Sequence, residues 1–189
     1  ENKLLIKSNI WTKNLFDFFL TLLMMPLLMI IHIIISLAIM LDSKGVVFFK
    51  QYRLGKDDND FICYKYRTMY ENSDELLQKY LKNHPEESEY YEKYHKYEND
   101  PRITKIGKIL RRTSLDELAQ VINVLKGEMS LVGPRPYMIN ESDKLGSNQH
   151  FILKVNPGIT GLWQVSGRNN LTFKERNELE IWYIKNWSL

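Results

Sequence analysis

Cysteine is almost absent from this 189-residue sequence, which contains one such residue, Cys63. A single cysteine excludes an intramolecular disulfide and agrees with a reducing compartment. His84 and His95 have no second ligand one helical turn away, so neither is expected to bind a metal. The sequence also lacks a known nucleic-acid-binding motif or an aromatic-basic repeat, and nucleic acid is therefore not expected as a partner.

A large net charge is also lacking, because the total is only +3 at pH 7. The distribution is uneven, however. Residues 71–100 carry nine acidic residues and four lysines, whereas residues 101–176 carry twelve Lys or Arg and six acidic residues. The basic part favours an anionic substrate, an anionic membrane surface, or both. With 44% hydrophobic and 26% charged residues, a folded core is expected.

The run from Leu15 to Met40 is apolar apart from a few residues, and it predicts a membrane segment. As one straight helix it would reach about 39 Å, enough to cross a bilayer. Pro26 removes a backbone donor near its middle, and cationic residues flank both ends. We therefore predict a re-entrant helix–break–helix at Pro26 within an anchoring segment, residues 1–44, with both ends cytoplasmic. A kinked helix that spans the bilayer is the alternative.

Short β-branched and aromatic runs between Val46 and Met69, separated by a turn-rich segment, predict a β-hairpin. Lys65 and Arg67 alternate with tyrosines and should project from one face. On a surface sheet such a face is commonly just solvated. The fold class expected for residues 45–189 is α+β, mainly helical with this small hairpin, and with amphipathic helices at the membrane interface.

The segment from Arg111 to Pro136 concentrates residues that handle phosphate. Ser114 and Glu117 have the spacing of a helix capping box, followed by apolar residues at helical spacing. Asp116 and Glu117 would then lie in the first turn, where the helix dipole keeps a carboxylate ionised and able to attack an electrophile or hold a cation. The same pattern is also typical of ordinary helix capping.

Two arginines accompany these carboxylates on loops. Arg135 lies between Pro134 and Pro136, which restrict its backbone, and the guanidinium fork suits phosphate oxygens. Arg168 lies in a second turn-rich stretch. Beyond it, residues 171–189 predict a helix that either lies in the membrane interface or packs on the core.

Five strings in fixed order resemble the bacterial sugar transferase family, the monotopic phosphoglycosyl transferases. They are FFKQYRLG at 48–55, KYRTM at 65–69, DPRITKIGKILRRTSLDEL at 100–118, NVLKGEMSLVGPRP at 123–136 and PGITGLWQVSGRNNLTF at 157–173. Several long strings in order are more specific than one short motif. The long region before DPRIT is most similar to that of the undecaprenyl-phosphate galactose phosphotransferases.

The resemblance implies transfer of a sugar 1-phosphate, with galactose favoured, from a UDP-sugar to undecaprenyl phosphate at the start of O-antigen, capsule or exopolysaccharide synthesis. It implies Asp116 as the nucleophile and Glu117 as a catalytic residue that holds Mg²⁺, whereas the residues alone do not choose between the two. The implied phosphate contacts are Lys65, Arg111, Arg135 and Arg168.

The family also implies a location in the bacterial inner membrane, with the active site on the cytoplasmic face, contacts with membrane lipid, and a homodimer. Family members continue past residue 189 with a further acidic site residue, so the resemblance implies a C-terminally truncated catalytic domain. Glucose or an N-acetylated sugar is the alternative donor sugar. A nucleotide-sugar hydrolase and a non-catalytic, membrane-anchored anion-binding domain are the alternative functions.

Overall fold

The computed structural model describes residues 2–94, 97, 99–167 and 171–188. Their contacts divide the chain into two compact units, and each unit is described by itself. Unit 1 comprises Glu1–Met29, Lys50–Lys65 and Glu117–Leu189, and unit 2 comprises Ile30–Phe49 and Tyr66–Asp116.

The elements are mostly helical. The α-helices are α1 (Lys7–Asp42), α2 (Ser73–Asn83), α3 (Glu86–Tyr94), α4 (Lys105–Thr113), α5 (Val121–Leu125), α6 (Ser142–Leu145), α7 (Gln149–Ile152), α8 (Leu162–Val165) and α9 (Phe173–Asn186). The strands are β1 (Phe48–Leu54), β2 (Asp60–Tyr66), β3 (Ser130–Val132) and β4 (Gly158–Thr160). Short 3₁₀ turns connect several of them, including one at Leu115–Gln120.

Helix α1 carries the predicted membrane segment. Among the described residues it is the one helix long and apolar enough to cross a bilayer. The predicted break at Pro26 is not seen, because α1 continues through this residue as one helix. A proline removes one backbone donor, and the hydrogen bonds of the neighbouring turns can carry the helix past it. Large apolar side chains remain exposed along its length, for example Leu23, Ile34 and Leu41.

The few polar residues of α1 contact the protein. In unit 1, the ammonium group of Lys13 lies 2.9 Å from the Asp17 carboxylate, and both groups hydrogen-bond Ser130 of β3. In unit 2, His32 Nδ1 lies 2.9 Å from the Tyr66 hydroxyl. There, Asp42 at the helix end accepts a hydrogen bond of 2.9 Å from the backbone N–H of Ile106. Lys13, Asp17, His32 and Asp42 of α1 therefore have protein partners, whereas many of its large apolar side chains are exposed.

The predicted hairpin is present as the two-stranded sheet of β1 and β2. Asp57 and Asp58 turn the chain between them with positive φ angles of 55° and 60°. After β2, in unit 2, Arg67 is buried and donates hydrogen bonds to three backbone carbonyls of residues 43, 44 and 46. Arg67 thus holds the connection that follows α1.

The second sheet was not predicted from the sequence. Strands β3 and β4 pair in parallel, with Ser130 opposite Gly158 and Val132 opposite Thr160. The backbones approach so closely that a Cβ atom on Gly158 would lie 2.1 Å from the Gly133 nitrogen. Only glycine fits there, and this approach fixes the start of the loop that contains Arg135.

Helix α9 packs on the core of unit 1 and is not wholly interfacial. Ile184 is fully buried in a cluster with Leu4 and Val155, whereas Trp182 remains exposed. A capping box begins α9: Thr172 accepts from the Glu175 backbone, and the Glu175 carboxylate accepts from the Thr172 backbone.

The capping box predicted at Ser114 is wrong. Ser114 ends α4 in the left-handed conformation, with φ of 57°, whereas an N-cap residue has an extended backbone. The Leu115–Gln120 turn that follows is a 3₁₀ helix, and α5 begins only at Val121. Asp116 and Glu117 still lie in the first turn of this helical segment. Helix α4 itself is N-capped by Thr104, whose hydroxyl accepts from the Gly107 N–H at 2.9 Å.

Gly107 provides a test of how α4 packs in unit 2. A Cβ atom on Gly107 would lie 2.1 Å from the Thr68 carbonyl oxygen. In an exposed helix, Gly→Ala stabilises by about 1 kcal/mol. Here we expect Gly107→Ala to lower the free energy of unfolding by about 1–3 kcal/mol, because the backbone must move. Denaturant unfolding measures the change, and Lys108→Ala, exposed on the same helix, is the control. A more stable Gly107→Ala protein would contradict this packing.

Candidate active site

Arg111 and Asp116 belong to unit 2. The Arg111 Nε donates a hydrogen bond of 2.9 Å to the Thr68 hydroxyl, which directs the side chain. Burial around the guanidinium lowers the pKa of Arg111, while the charges of Asp100 and Asp116 raise it. The side chain stays protonated, since an arginine pKa lies far above neutral pH. The charge of Asp116 is therefore close enough to Arg111 to influence its pKa.

Lys65 and Glu117 form an ion pair in unit 1. The Lys65 ammonium lies 2.8 Å from Glu117 Oε1, and about a quarter of each side chain is exposed. Asn123, fully buried in α5, aligns this pair. Its amide accepts from the Tyr64 N–H at 3.1 Å and donates to the Ile62 carbonyl at 2.7 Å. These bonds fix the strand that carries Lys65 against the helical segment that carries Glu117.

Arg135 lies on a loop of unit 1 whose backbone is held from several directions. Its own N–H donates to Glu180 at 2.8 Å. On either side, Pro134 accepts from the Gly158 N–H at 2.7 Å, and Pro136 accepts from Arg53 at 3.1 Å. The guanidinium lies 3.3 Å from a Glu141 oxygen. Arg135 is therefore a positioned cation with one carboxylate partner.

Arg53 was missed as a candidate by sequence reasoning. It is buried in β1, and its two terminal nitrogens donate to Pro136 and to Gln51. Burial lowers the pKa of its guanidinium, which the charge of Arg135 lowers further and those of Glu141 and Glu117 raise. Arg53 therefore supports the Arg135 loop from below the surface. The signal available in the sequence was its place in the FFKQYRLG string.

Glu180 was also missed, although it lies on the buried face of α9 with Asn177 and Ile184. Such a carboxyl at helical spacing among buried residues is the signal that could have identified it. Burial raises the pKa of Glu180 to about 7. Its second oxygen hydrogen-bonds the hydroxyl of Tyr137, which is buried as well.

The predicted site residues that the structure describes are divided between the two units. Unit 1 brings Lys65 and Glu117 into contact. There the charge of Arg135 lowers the pKa of Arg53, and that of Glu117 raises it. In unit 2, the charge of Asp116 raises the pKa of Arg111. The predicted phosphate contact Arg168 lies outside the described residues.

A resident metal centre is not seen in the part of the chain that the structure describes, where no three His, Cys, Asp or Glu side chains cluster suitably. A Mg²⁺ ion that one or two carboxylates share with substrate phosphates would not require such a cluster. Glu117 fits such a role, because its carboxylate is partly exposed and only Oε1 contacts Lys65. Cations held beside exchangeable carboxylates can bind a polyanion by displacing those carboxylates.

Comparison with known proteins finds similarity along almost the whole chain. Residues 8–189 match the family model described as bacterial sugar transferase. The chain is 53% identical over 137 residues to an uncharacterized sugar transferase of Haemophilus influenzae, which covers 72% of this chain and 29% of that protein. It is 38% identical over 178 residues to the exopolysaccharide production protein ExoY of Sinorhizobium fredii, which covers 94% and 79%.

A third relative matches the full chain. The undecaprenyl-phosphate galactose phosphotransferase of Salmonella typhimurium is 40% identical over 189 residues, which is 100% of this chain and 40% of that protein. The chain thus spans well under half of the Haemophilus and Salmonella relatives and most of the Sinorhizobium protein.

Cys63 tests the environment beneath the Lys65–Glu117 pair. Burial raises the pKa of this thiol to about 11, although Lys65 and Arg53 oppose the shift. At pH 8, we expect a soluble maleimide to react with the folded protein about 100-fold more slowly than with an ordinary thiol. Mass spectrometry of the labelled protein measures the rate, and denatured protein is the control. Equal rates for folded and denatured protein would show that Cys63 is accessible.

Proposed function

Because the chain belongs to the bacterial sugar transferase family, we propose that it transfers a sugar 1-phosphate from a UDP-sugar to undecaprenyl phosphate. One observation carries the proposal: the similarity to a relative named undecaprenyl-phosphate galactose phosphotransferase extends over the full chain at 40% identity. Galactose is the proposed sugar, with glucose and N-acetylated sugars as the alternatives to be tested.

In the proposed reaction the Asp116 carboxylate attacks the β-phosphorus of the UDP-sugar. The bond from that phosphorus to the bridging oxygen breaks, and UMP leaves with the bonding electrons. A covalent aspartyl phosphosugar remains. The phosphate oxygen of undecaprenyl phosphate then attacks this phosphorus, which releases Asp116 as a carboxylate and forms the lipid diphosphate sugar. Two steps allow two large anionic substrates to use one nucleophile in turn.

The proposed phosphate contacts supply positive charge to the transferring group, where electrostatic stabilisation is usually the largest contribution. Lys65 and Arg135 already face carboxylates, Glu117 and Glu141, so substrate phosphates would exchange for those partners. Arg111 supplies charge beside Asp116, and Arg168 completes the proposed set. Glu117 would hold Mg²⁺, which when bound neutralises charge on the phosphate oxygens.

We also propose that α1 anchors the protein to the inner membrane without crossing it. Lys13 near the start of α1 contacts Ser130, and Asp42 at its end contacts the Ile106 backbone. Each end of α1 thus keeps a polar contact with its own unit, and we propose that both ends lie on the cytoplasmic side of the membrane.

This topology supports a re-entrant arrangement, in which α1 bends near Pro26 and dips partway into the bilayer. The exposed apolar side chains of α1 would contact lipid tails, and its buried polar residues would keep their protein partners. The site would then lie near the headgroups on the cytoplasmic face. There the phosphate of the lipid carrier is within reach, and a soluble UDP-sugar can enter from the cytoplasm.

Assay of UMP release tests the reaction. With Mg²⁺ and undecaprenyl phosphate, one UDP-sugar of a panel should dominate, and detergent-solubilised protein without lipid should accumulate a covalent phosphosugar adduct. We expect Asp116→Asn to form no adduct and to lose activity by on the order of 10⁴-fold. We expect Glu117→Gln to form the adduct but to require more Mg²⁺.

Asp143→Asn is the matched control for these variants, because it makes the same chemical change in an exposed first turn of α6. An adduct in the Asp116→Asn protein would reverse the roles of the two carboxylates. Release of free sugar phosphate without lipid would indicate a hydrolase, and tight UDP-sugar binding without UMP release would indicate an anion-binding domain.

Cysteine labelling tests the topology. Lys7→Cys and Lys44→Cys place exposed thiols before and after the apolar part of α1. In right-side-out vesicles, we expect a membrane-impermeant maleimide to label neither, and in inverted vesicles to label both. The buried Cys63 of the parent protein gives the background. Labelling of the two thiols from opposite sides would show that α1 spans the bilayer.

A further inference from the structure

The Arg135 loop and helix α9 meet at a buried hydrogen-bonded group. Glu180 Oε1 accepts from the Arg135 N–H at 2.8 Å, and Glu180 Oε2 contacts the Tyr137 hydroxyl. That hydroxyl also lies 2.9 Å from the side-chain oxygen of Asn177, one turn earlier on α9. Exposure of these side chains is 2% for Glu180, 1% for Tyr137 and 5% for Asn177. Bulk solvent is therefore largely excluded from this group.

The number of protons available for the hydrogen bonds of this group bears on the protonation state of Glu180. The Tyr137 hydroxyl has one hydrogen but faces two acceptor oxygens, from Asn177 and Glu180. With the Asn177 amide oxygen toward the hydroxyl, as the structure has it, an ionised Glu180 would leave one of the two contacts without a proton, because a carboxylate only accepts. A protonated Glu180 supplies it. Oε2–H then donates to the tyrosine oxygen, the tyrosine hydroxyl donates to Asn177, and Oε1 accepts from Arg135. Each contact then contains one proton.

We propose that Glu180 is a positioning residue, held as a neutral carboxylic acid, that fixes the backbone of Arg135 and leaves the Arg135 charge for the substrate. This inference rests on the proposed function, in which Arg135 binds phosphate. Glu180 does not itself contact the transferring group in this proposal. It acts through Arg135.

The electrostatic surroundings agree with the count of protons. Burial raises the pKa of Glu180 to about 7, against the hydrogen bonds from Tyr137 and the Arg135 backbone and the charges of Arg135 and Arg176. These are the titratable and charged groups that face the carboxyl from the loop and from α9. Burial therefore outweighs two neighbouring arginines.

Neutrality matters because Arg135 already has one carboxylate partner. Its guanidinium lies 3.3 Å from Glu141. An ionised Glu180 would place a second negative charge near the same cation and weaken its attraction for phosphate. Glutamine imitates the neutral acid, because its amide N–H₂ can donate to the Tyr137 oxygen and its carbonyl can accept from the Arg135 N–H. Alanine removes both contacts.

Thermal unfolding as a function of pH tests the protonation state without any need for activity. The native pKa of Glu180 lies above the value of an unfolded glutamic acid, about 4.3. Between the two values the unfolded state binds fewer protons, so stability falls as pH rises toward about 7 and levels off above it. Relative to Glu180→Gln, we expect the melting temperature of the parent protein to fall by on the order of 5 °C from pH 5 to pH 8. Parallel curves would overturn the neutral Glu180.

Steady-state kinetics of UMP release test the positioning role. We expect Glu180→Ala to raise KM for the UDP-sugar by about tenfold, the loss of a hydrogen bond worth about 1.4 kcal/mol, and to change kcat less. Glu180→Gln should restore KM. We expect kcat/KM of the parent protein to decline as pH rises through about 7, and Glu180→Gln to remove this decline.

Glu178→Gln is the control, because it makes the same change at an exposed position of the same helix and should follow the parent pH profile. Unchanged KM in Glu180→Ala with an unchanged profile in Glu180→Gln would overturn the positioning role, while an active parent protein would leave the proposed function standing. Absence of UMP release by the parent protein would overturn the proposed function instead. Different measurements therefore distinguish failure of the positioning role from failure of the proposed function.

Discussion

Hydrogen bonding of the backbone from Gly133 to Tyr137 is the constraint on which unit 1 depends. Each of these five residues has a backbone group bonded to a different part of the chain, and the partners are Arg53, Leu54, Gly158, Thr160 and Glu180. Two prolines within the loop reduce the conformations available to it before folding. The first sheet, the second sheet and α9 therefore converge on one arginine, whose backbone cannot move without breaking bonds in all three.

Carboxylates neutralise the candidate cations of the site in the absence of substrate. Lys65 forms an ion pair with Glu117, and Arg135 forms one with Glu141. The charge of Asp116 raises the pKa of Arg111. The Lys65–Glu117 and Arg135–Glu141 pairs are partly exposed, so each is weak enough to exchange. An incoming diphosphate would replace carboxylates that the protein already holds in position, and little side-chain entropy would be lost on binding. The buried Glu180 differs, because it contacts backbone and hydroxyl and is not an exchangeable partner of a cation.

Much of the outline was predicted from local patterns. The apolar helix, the hairpin, and the adjacency of Asp116 and Glu117 in the first turn of a helical segment follow from periodicity and from turn residues, which depend on neighbours in the chain. The errors also have local causes. Ser114 has the residue type and spacing of an N-cap, but α4 uses it as a left-handed C-cap. Two short strands of three residues each, β3 and β4, carry too little pattern to be recognised in one sequence.

By itself, the sequence determined the residue types of the site, its basic character, and the presence of one long apolar helix, because these are properties of composition and spacing. Only the tertiary structure decided which residues support the site. Arg53 and Glu180 lie far from Arg135 in sequence, and their roles arise where β1 and α9 pack against the same loop. Likewise, the raised pKa of Glu180 is a consequence of burial, which exists only after distant segments have excluded water from it.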